Sequence, residues 1–147
     1  MKIELISDVS AYVSDIAGAE QICILQPWSK QALEEFISYE YNKALCVMVD
    51  GVFAGYVTYT TVCDEIQIAN IATLPDFRRK GVASVLLEKI NQIAENLKAS
   101  VVTLEVRATN IPAISLYEKH GYKVCGTRKG YYKNPTDDAL LMNLWLK

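Results

Sequence analysis

Histidine occurs once in this 147-residue chain, at position 120. That excludes any two-histidine metal site and leaves a histidine-based hydrolase triad a single position to draw on. His120 stands between Lys119 and Gly121, a cation and a glycine that suit the end of a helix. Excess charge is also scarce: the net charge is -2 and the pI near 5.4. Nucleic-acid binding wants a basic surface, so no direct nucleic-acid partner is expected. Apolar runs are short. Ala44 to Val49 falls far short of the ~20 residues of a membrane-spanning helix, and Met1-Lys2-Ile3-Glu4-Leu5 lacks the apolar block of a signal peptide. The four cysteines (Cys23, Cys46, Cys63, Cys125) include no C-x-x-C pair. Three lie in apolar, strand-like runs, so they read as inert core thiols of a protein in the reducing cytoplasm.

What is there suits one ordinary globular domain over residues 1–147: 51% of residues are apolar and 22% charged. Lys2 to Leu5 alternates as a short strand. Asp8 or Ser10 can cap a helix running to about Ile24, and Pro27-Trp28 breaks it. Ser29 starts a second helix with Leu33, Phe36 and Ile37 on one face. Ala44 to Val49 and Val52 to Val62 are strands joined by Asp50-Gly51, a strong hairpin turn. Glu65 to Thr73 is another strand, ended by Pro75. Val82, Val85, Leu86, Ile90, Ile93 and Leu97 follow a helical period from Val82 to about Lys98. Val101 to Arg107 alternates: Val102, Leu104 and Val106 face one way, Thr103, Glu105 and Arg107 the other. Asn110 to His120 is a short helix with Pro112 in its first turn. Tyr122 to Val124 begins a strand, Tyr131 to Asp138 is a polar connection, and Ala139 to Leu146 is the last strand. The unit from Glu65 to Arg107 should be parallel and right-handed, while the earlier hairpin demands antiparallel pairing. A mixed α/β sheet with helices on both faces follows.

Two segments carry chemistry. Arg78-Arg79-Lys80-Gly81-Val82-Ala83 opens the long helix after a strand. A helix start presents unpaired N–H groups and a positive dipole end, and a glycine lets an anion approach the backbone. A plain basic loop before a helix-starting glycine fits the same residues. The second segment is Leu104-Glu105-Val106-Arg107-Ala108-Thr109-Asn110, leading into Leu116-Tyr117-Glu118 and Gly121-Tyr122. Glu105 sits late in a central strand, where functional groups of open sheets gather. Tyr117 falls one to two turns into the next helix and can point toward the same cleft. The bland alternatives are an ion pair for Glu105 and core packing with Ile114 for Tyr117.

Arg78-x-x-Gly81-x-Ala83, following Asn70-Ile71-Ala72-Thr73-Leu74-Pro75, resembles the acyl-CoA signature (Gln/Arg)-x-x-Gly-x-(Gly/Ala) of the GNAT superfamily. The stretch from Leu104 to Asn110, with Ala113, Leu116-Tyr117-Glu118 and Gly121-Tyr122, resembles its RimI-type branch, the ribosomal-protein-alanine N-acetyltransferases. Tyr131-Tyr132 and Asp138-Ala139-Leu140-Leu141-Met142 extend the match, which spans roughly residue 45 to the end plus Pro27-Trp28. Ala83, Thr109 (where Ser is common) and Tyr122 (for Phe) are mild departures. The first 40 residues match weakly.

The resemblance implies a GNAT-like fold: a mixed, mostly antiparallel sheet of about seven strands, four helices on both faces, and a central parallel pair splayed to hold acyl-CoA. It implies an enzyme that moves acetyl from acetyl-CoA to an α-amine in a ternary complex, with no metal. Glu105 is then the base, working through water, and Tyr117 the acid toward sulfur. Ile71, Ala72 and Thr73 hold the acetyl and pantetheine through main-chain atoms. Arg79, Lys80, Gly81, Val82, Ala83 and Ser84 receive the pyrophosphate, and Asn110 is a side-chain ligand for CoA. Arg107, on the Glu105 face, either orients Glu105 or forms a plain salt bridge. The acceptor is a protein or peptide N-terminus, in that branch a ribosomal protein's, and the setting cytoplasmic. Lysine, polyamine or other small amines are alternative acceptors, and a CoA-binding module without turnover is an alternative class. A flavodoxin-like nucleotide binder would need a fully parallel sheet, which the Asp50-Gly51 hairpin opposes.

Overall fold

A computed structural model describes residues 1–146. Strand β1 (Ile3–Ile6) is followed by helices α1 (Val13–Cys23) and α2 (Lys30–Ser38). Three strands come next: β2 (Asn42–Val49), β3 (Val52–Val62) and β4 (Glu65–Thr73). A 3₁₀ turn (Pro75–Phe77) leads to α3 (Val82–Asn96), β5 (Val101–Arg107), α4 (Ile111–Lys119), β6 (Lys123–Tyr132) and β7 (Asp137–Trp145). The seven strands form one sheet in the order β1-β2-β3-β4-β5-β7-β6. Only the β4–β5 pair, bridged by α3, is parallel; its other pairs are antiparallel. The mixed, mostly antiparallel sheet with four helices is therefore as the sequence predicts.

The β2–β3 hairpin turns at Asp50 (φ 49°) and Gly51 (φ 80°). Two residues in the left-handed region match the twist of the strands they join. One core lies between the sheet and α3 with α4, and includes Val82, Leu86, Ile90, Leu104, Val106 and Tyr117. A second lies under α1 and α2, where Ile16, Ala19 and Leu33 meet Cys46, Phe53 and Tyr56. Both faces of β2 are covered, so it is buried along almost its whole length.

The sheet also has a tight spot. A Cβ on Gly55 would come 2.7 Å from the Ala72 carbonyl oxygen and 2.9 Å from the Val82 side chain. Glycine at 55 lets β3, the end of β4 and the start of α3 pack together.

Three expectations need correction. The first helix begins after Tyr12, not at Asp8 or Ser10. The Asp8 carboxylate instead accepts from the Ser10 N–H (3.2 Å) and hydroxyl (2.8 Å), a local turn that competes with capping. The polar connection is shorter, because β6 runs to Tyr132 and β7 starts at Asp137, so the hairpin extends the ladder. Of the thiols only Cys46 is buried, and burial pushes it up to about 12. Cys63 and Cys125 are exposed, at a turn and on the sheet-edge strand β6, where no second layer covers an apolar residue. Ser29 does cap α2, its hydroxyl accepting from the Ala32 N–H at 3.1 Å. Among the described residues no helix is long and apolar enough to cross a membrane.

Candidate active site

The parallel pair pairs only at its start. Register between β4 and β5 covers Glu65–Val101, Ile66–Val102 and Gln67–Thr103. Beyond Gln67 the two strands diverge. The cause lies on the other side of β4. Its register with β3 jumps from Asn70–Thr58 to Ile68–Tyr59, leaving Ala69 as an unpaired extra residue. Such a bulge bends its strand and increases the local twist. Residues Ile71, Ala72 and Thr73 therefore pair with β3 on one side and have no strand beside them on the side of the gap.

On the α1–α2 side the gap opens into a cleft of about 970 Å³. Leu25 and Trp28 form one wall, Asn70 another, and Glu105, Arg128 and Tyr131 the floor and far side. Helices α1 and α2 cover only β1 to β4 on this face, so the outward residues of β5, β7 and β6 are left facing the cleft.

Glu105 lies where the sequence predicts, on the uncovered face of β5. Its carboxylate meets the Arg128 guanidinium at 3.5 Å. That ion pair is long and partly exposed, with side chains 55% and 33% accessible for Arg128 and Glu105. Pairs of this kind hold weakly, and the carboxylate stays reachable. Arg107 does not orient Glu105. It turns to the β6–β7 turn, donating to the Pro135 (3.0 Å) and Lys133 (3.2 Å) carbonyls and lying 4.4 Å over the Tyr132 ring. Arg128 is the residue that sequence reasoning missed. The β5–β7–β6 ladders set Arg128 level with Arg107 through Ala139, two residues from the row of Glu105, Leu141 and Gly126, so its long side chain reaches Glu105 diagonally. No local motif carries that information.

Tyr117 sits on the opposite face, in the α3–α4 core and outside the lining of the cleft. It is 7% exposed, and its ring lies 6.2 Å from that of Tyr122. Burial pushes its hydroxyl well above the ordinary tyrosine range, and nearby Tyr132 adds to the shift. The phenol therefore stays protonated, a donor rather than a base. Glu105 thus faces the cleft, while Tyr117 lies in the core on the other face of the sheet.

The start of α3 fits the phosphate reading. Gly81 (φ 84°) is the N-cap and offers no side chain, so the first N–H groups of α3 lack an intrahelical or capping partner. A Cβ built on Gly81 meets nothing within 4 Å, so the space before those N–H groups is open. Arg79 and Lys80 are exposed beside it. Arg78 is engaged elsewhere, since its Nε donates to the Thr73 carbonyl at 3.2 Å and ties this loop to β4. The Val82 side chain is buried, leaving only its backbone N–H to act. Ala83 follows it in the first turn. The Ser84 hydroxyl already meets His120 Nε2 at 3.0 Å, so Ser84 too can offer its backbone. His120 is the C-cap of α4, as its neighbours suggest. Asn110 caps the other end, its Oδ1 accepting from the Ala113 N–H at 3.3 Å. That leaves its amide nitrogen for a ligand. A free strand edge, an open helix start and two cations together suit a pantetheine arm ending in a pyrophosphate.

The sequence profile described as the acetyltransferase (GNAT) family matches residues 13–122. The chain is 36% identical to a Bacillus subtilis protein over 131 residues, 88% of this chain and 87% of the relative, a candidate [ribosomal protein bS18]-alanine N-acetyltransferase. It is 31% identical to the Escherichia coli (strain K12) [ribosomal protein bS18]-alanine N-acetyltransferase over 125 residues, 80% of each chain. The crystal structure of the Escherichia coli ribosomal-protein-S18-alanine N-acetyltransferase superposes with a TM-score of 0.91 at 28% identity, covering 99% of this chain and 95% of that one.

Proposed function

Because the chain belongs to the acetyltransferase (GNAT) family and is an acetyl-CoA-dependent N-acetyltransferase, we propose that its acceptor is the N-terminal α-amine of a protein, the alanine of ribosomal protein bS18 foremost. The observation that carries this is the match over four-fifths or more of the chain to relatives with that named activity. The whole chain acts as one catalytic domain, and a ribosomal acceptor implies a cytoplasmic setting.

Acetyl-CoA approaches from the α3–α4 face. The N–H groups at the start of α3, with Arg79 and Lys80, bind its pyrophosphate, and Asn110 contributes its amide. The free edge of Ile71–Thr73 holds the pantetheine and acetyl group, and a backbone N–H there stabilises the charge developing on the carbonyl oxygen. The peptide enters through the cleft on the other face. Glu105, through a water, removes a proton from the ammonium, and the freed lone pair attacks the thioester carbon. As the carbon–sulfur bond breaks, Tyr117 gives its proton to the sulfur, which leaves as CoA thiol, and the second proton shed by the attacking nitrogen as it becomes an amide restores the phenol. Arg128 competes for Glu105 and holds it in place until an ammonium arrives.

Amine chemistry supports an N-terminus. An α-amine titrates near ~8 and lysine near ~10.4, so near neutrality far more of the former is free base. Incubation with acetyl-CoA and peptides bearing a free or blocked N-terminal Ala, read by mass spectrometry, tests this. Acetylation should fall on the α-amine and vanish when it is blocked. Transfer that persists on the blocked peptide and needs its lysines would refute the assignment.

Tyr117→Phe should slow turnover by about 10²-fold, the low end for general acid help, because a thiol near pKa ~8.5 has a modest need for a proton. The acetyl-CoA KM should hardly change, since the phenol meets sulfur only as it leaves. Steady-state kinetics checks both, and near-wild-type turnover would return Tyr117 to a packing role.

A further inference from the structure

Glu20 is a fully buried carboxyl on the sheet-facing side of α1. Its Oε1 accepts from Asn70 Nδ2 at 2.8 Å. Its Oε2 and the Tyr56 hydroxyl are both enclosed and face each other, close enough for the phenol to favour the carboxylate yet outside good hydrogen-bond geometry. Burial, then the Glu20 charge, pushes the Tyr56 hydroxyl far up, so it stays a donor. Burying a carboxyl is costly even when donors face it, and an apolar side chain of similar size would seal α1 onto β4 more cheaply. Packing alone does not account for Glu20.

Its partner shows what it does. Asn70 stands next to the bulged Ala69, where β4 has left β5, and it lines the cleft. Thr58 Oγ1 accepts from the Asn70 N–H at 3.1 Å and lies 3.5 Å from the Asn70 carbonyl. Backbone and side chain of Asn70 are thus each held. An amide has two chemically different ends, and an acceptor carboxylate selects the NH₂ end. With Nδ2 drawn inward by Glu20, Oδ1 is the end left for the cleft.

We propose, resting on the acceptor reading above, that Asn70 Oδ1 accepts a hydrogen bond from an N–H of the acceptor's first residues, and that Glu20 is the positioning residue that turns it there. Asn70 immediately precedes the Ile71–Thr73 edge and shares the cleft with Glu105. A peptide N-terminus bound at Asn70 is therefore registered against both the base and the thioester. The interaction belongs to the acceptor side and not to acetyl-CoA.

The test compares Glu20→Leu, Glu20→Gln, Asn70→Ala and the double variant Glu20→Leu/Asn70→Ala on a free N-terminal Ala peptide, with melting temperatures. Glu20→Leu and Asn70→Ala should each raise the peptide KM about threefold to tenfold, the size of one lost hydrogen bond, with the acetyl-CoA KM unmoved. Glu20→Gln, which still accepts from Asn70, should restore near-wild-type peptide KM. The double variant should lose no more than either single one, because both remove one contact. Wild-type peptide KM in folded Glu20→Leu, additive losses, or an equal rise in acetyl-CoA KM would overturn the assignment while leaving α-amine acetylation intact. A wild-type enzyme inert toward α-amines would overturn both.

Discussion

Gly81→Glu should weaken acetyl-CoA binding severely in a protein that still folds. Gly81 has φ 84° and caps α3 with an open space before it. A side chain there costs about 1–2 kcal/mol of backbone strain, partly offset by a negative charge at a helix start. The new carboxylate would itself accept from the first N–H groups of α3, where the pyrophosphate is proposed to bind. It both occupies the site and repels the ligand. Affinity should fall by about 10²-fold or more, the equivalent of ~2.7 kcal/mol. Gly81→Ala, with the strain but no charge, should lose much less. Calorimetry on the folded variants checks this, and unchanged affinity in Gly81→Glu would move the phosphate site elsewhere.

Glu105→Gln should lower kcat/KM by about 10²–10⁴-fold near neutral pH, the range of a positioned general base. The loss should be steepest below the amine's own pKa, near ~8, where most acceptor is ammonium and must be deprotonated on the enzyme. Above that pKa the free amine attacks unaided, so the variant should recover part of the gap. The wild-type rate should rise with pH and level off near the same point. Stability should hardly change, because the ion pair lost to Arg128 is long and partly exposed, worth at most ~1 kcal/mol. A pH–rate profile for both enzymes decides it. A uniform loss at every pH would make Glu105 an electrostatic or structural group instead of the base.

Much of this site is legible in local patterns. The alternation of Val101 to Arg107 puts Glu105 on the face opposite Leu104 and Val106, and the Gly81 helix start sits between a strand and a helical period. Both depend only on periodicity and on a residue without a Cβ, so they survive into the structure unchanged. Arg128 and Glu20 are different. Arg128 lies 23 positions from Glu105 along the chain, and only the β5–β7–β6 ladders bring them together. Glu20 is 50 positions from Asn70 and looks like any acidic helix residue until α1 docks on β4. Arg107 is the reverse case: it shares a face with Glu105 in sequence, but the β6–β7 turn offers it two carbonyls and a ring, which outweigh a neighbouring carboxylate.

By itself the sequence determined the element order, the mixed sheet and the position of the signature helix start, because each follows from spacing within a few residues; the roles proposed for Glu105 and Tyr117 rest on the family resemblance. The tertiary structure alone decided three things. It placed Glu105 and Tyr117 on opposite faces of the sheet. It traced the opening between β4 and β5 to the bulge at Ala69. It supplied the partners that hold the cleft wall. The physical reason is that strand pairing and helix docking join residues tens of positions apart, and their register depends on the packing of the whole sheet.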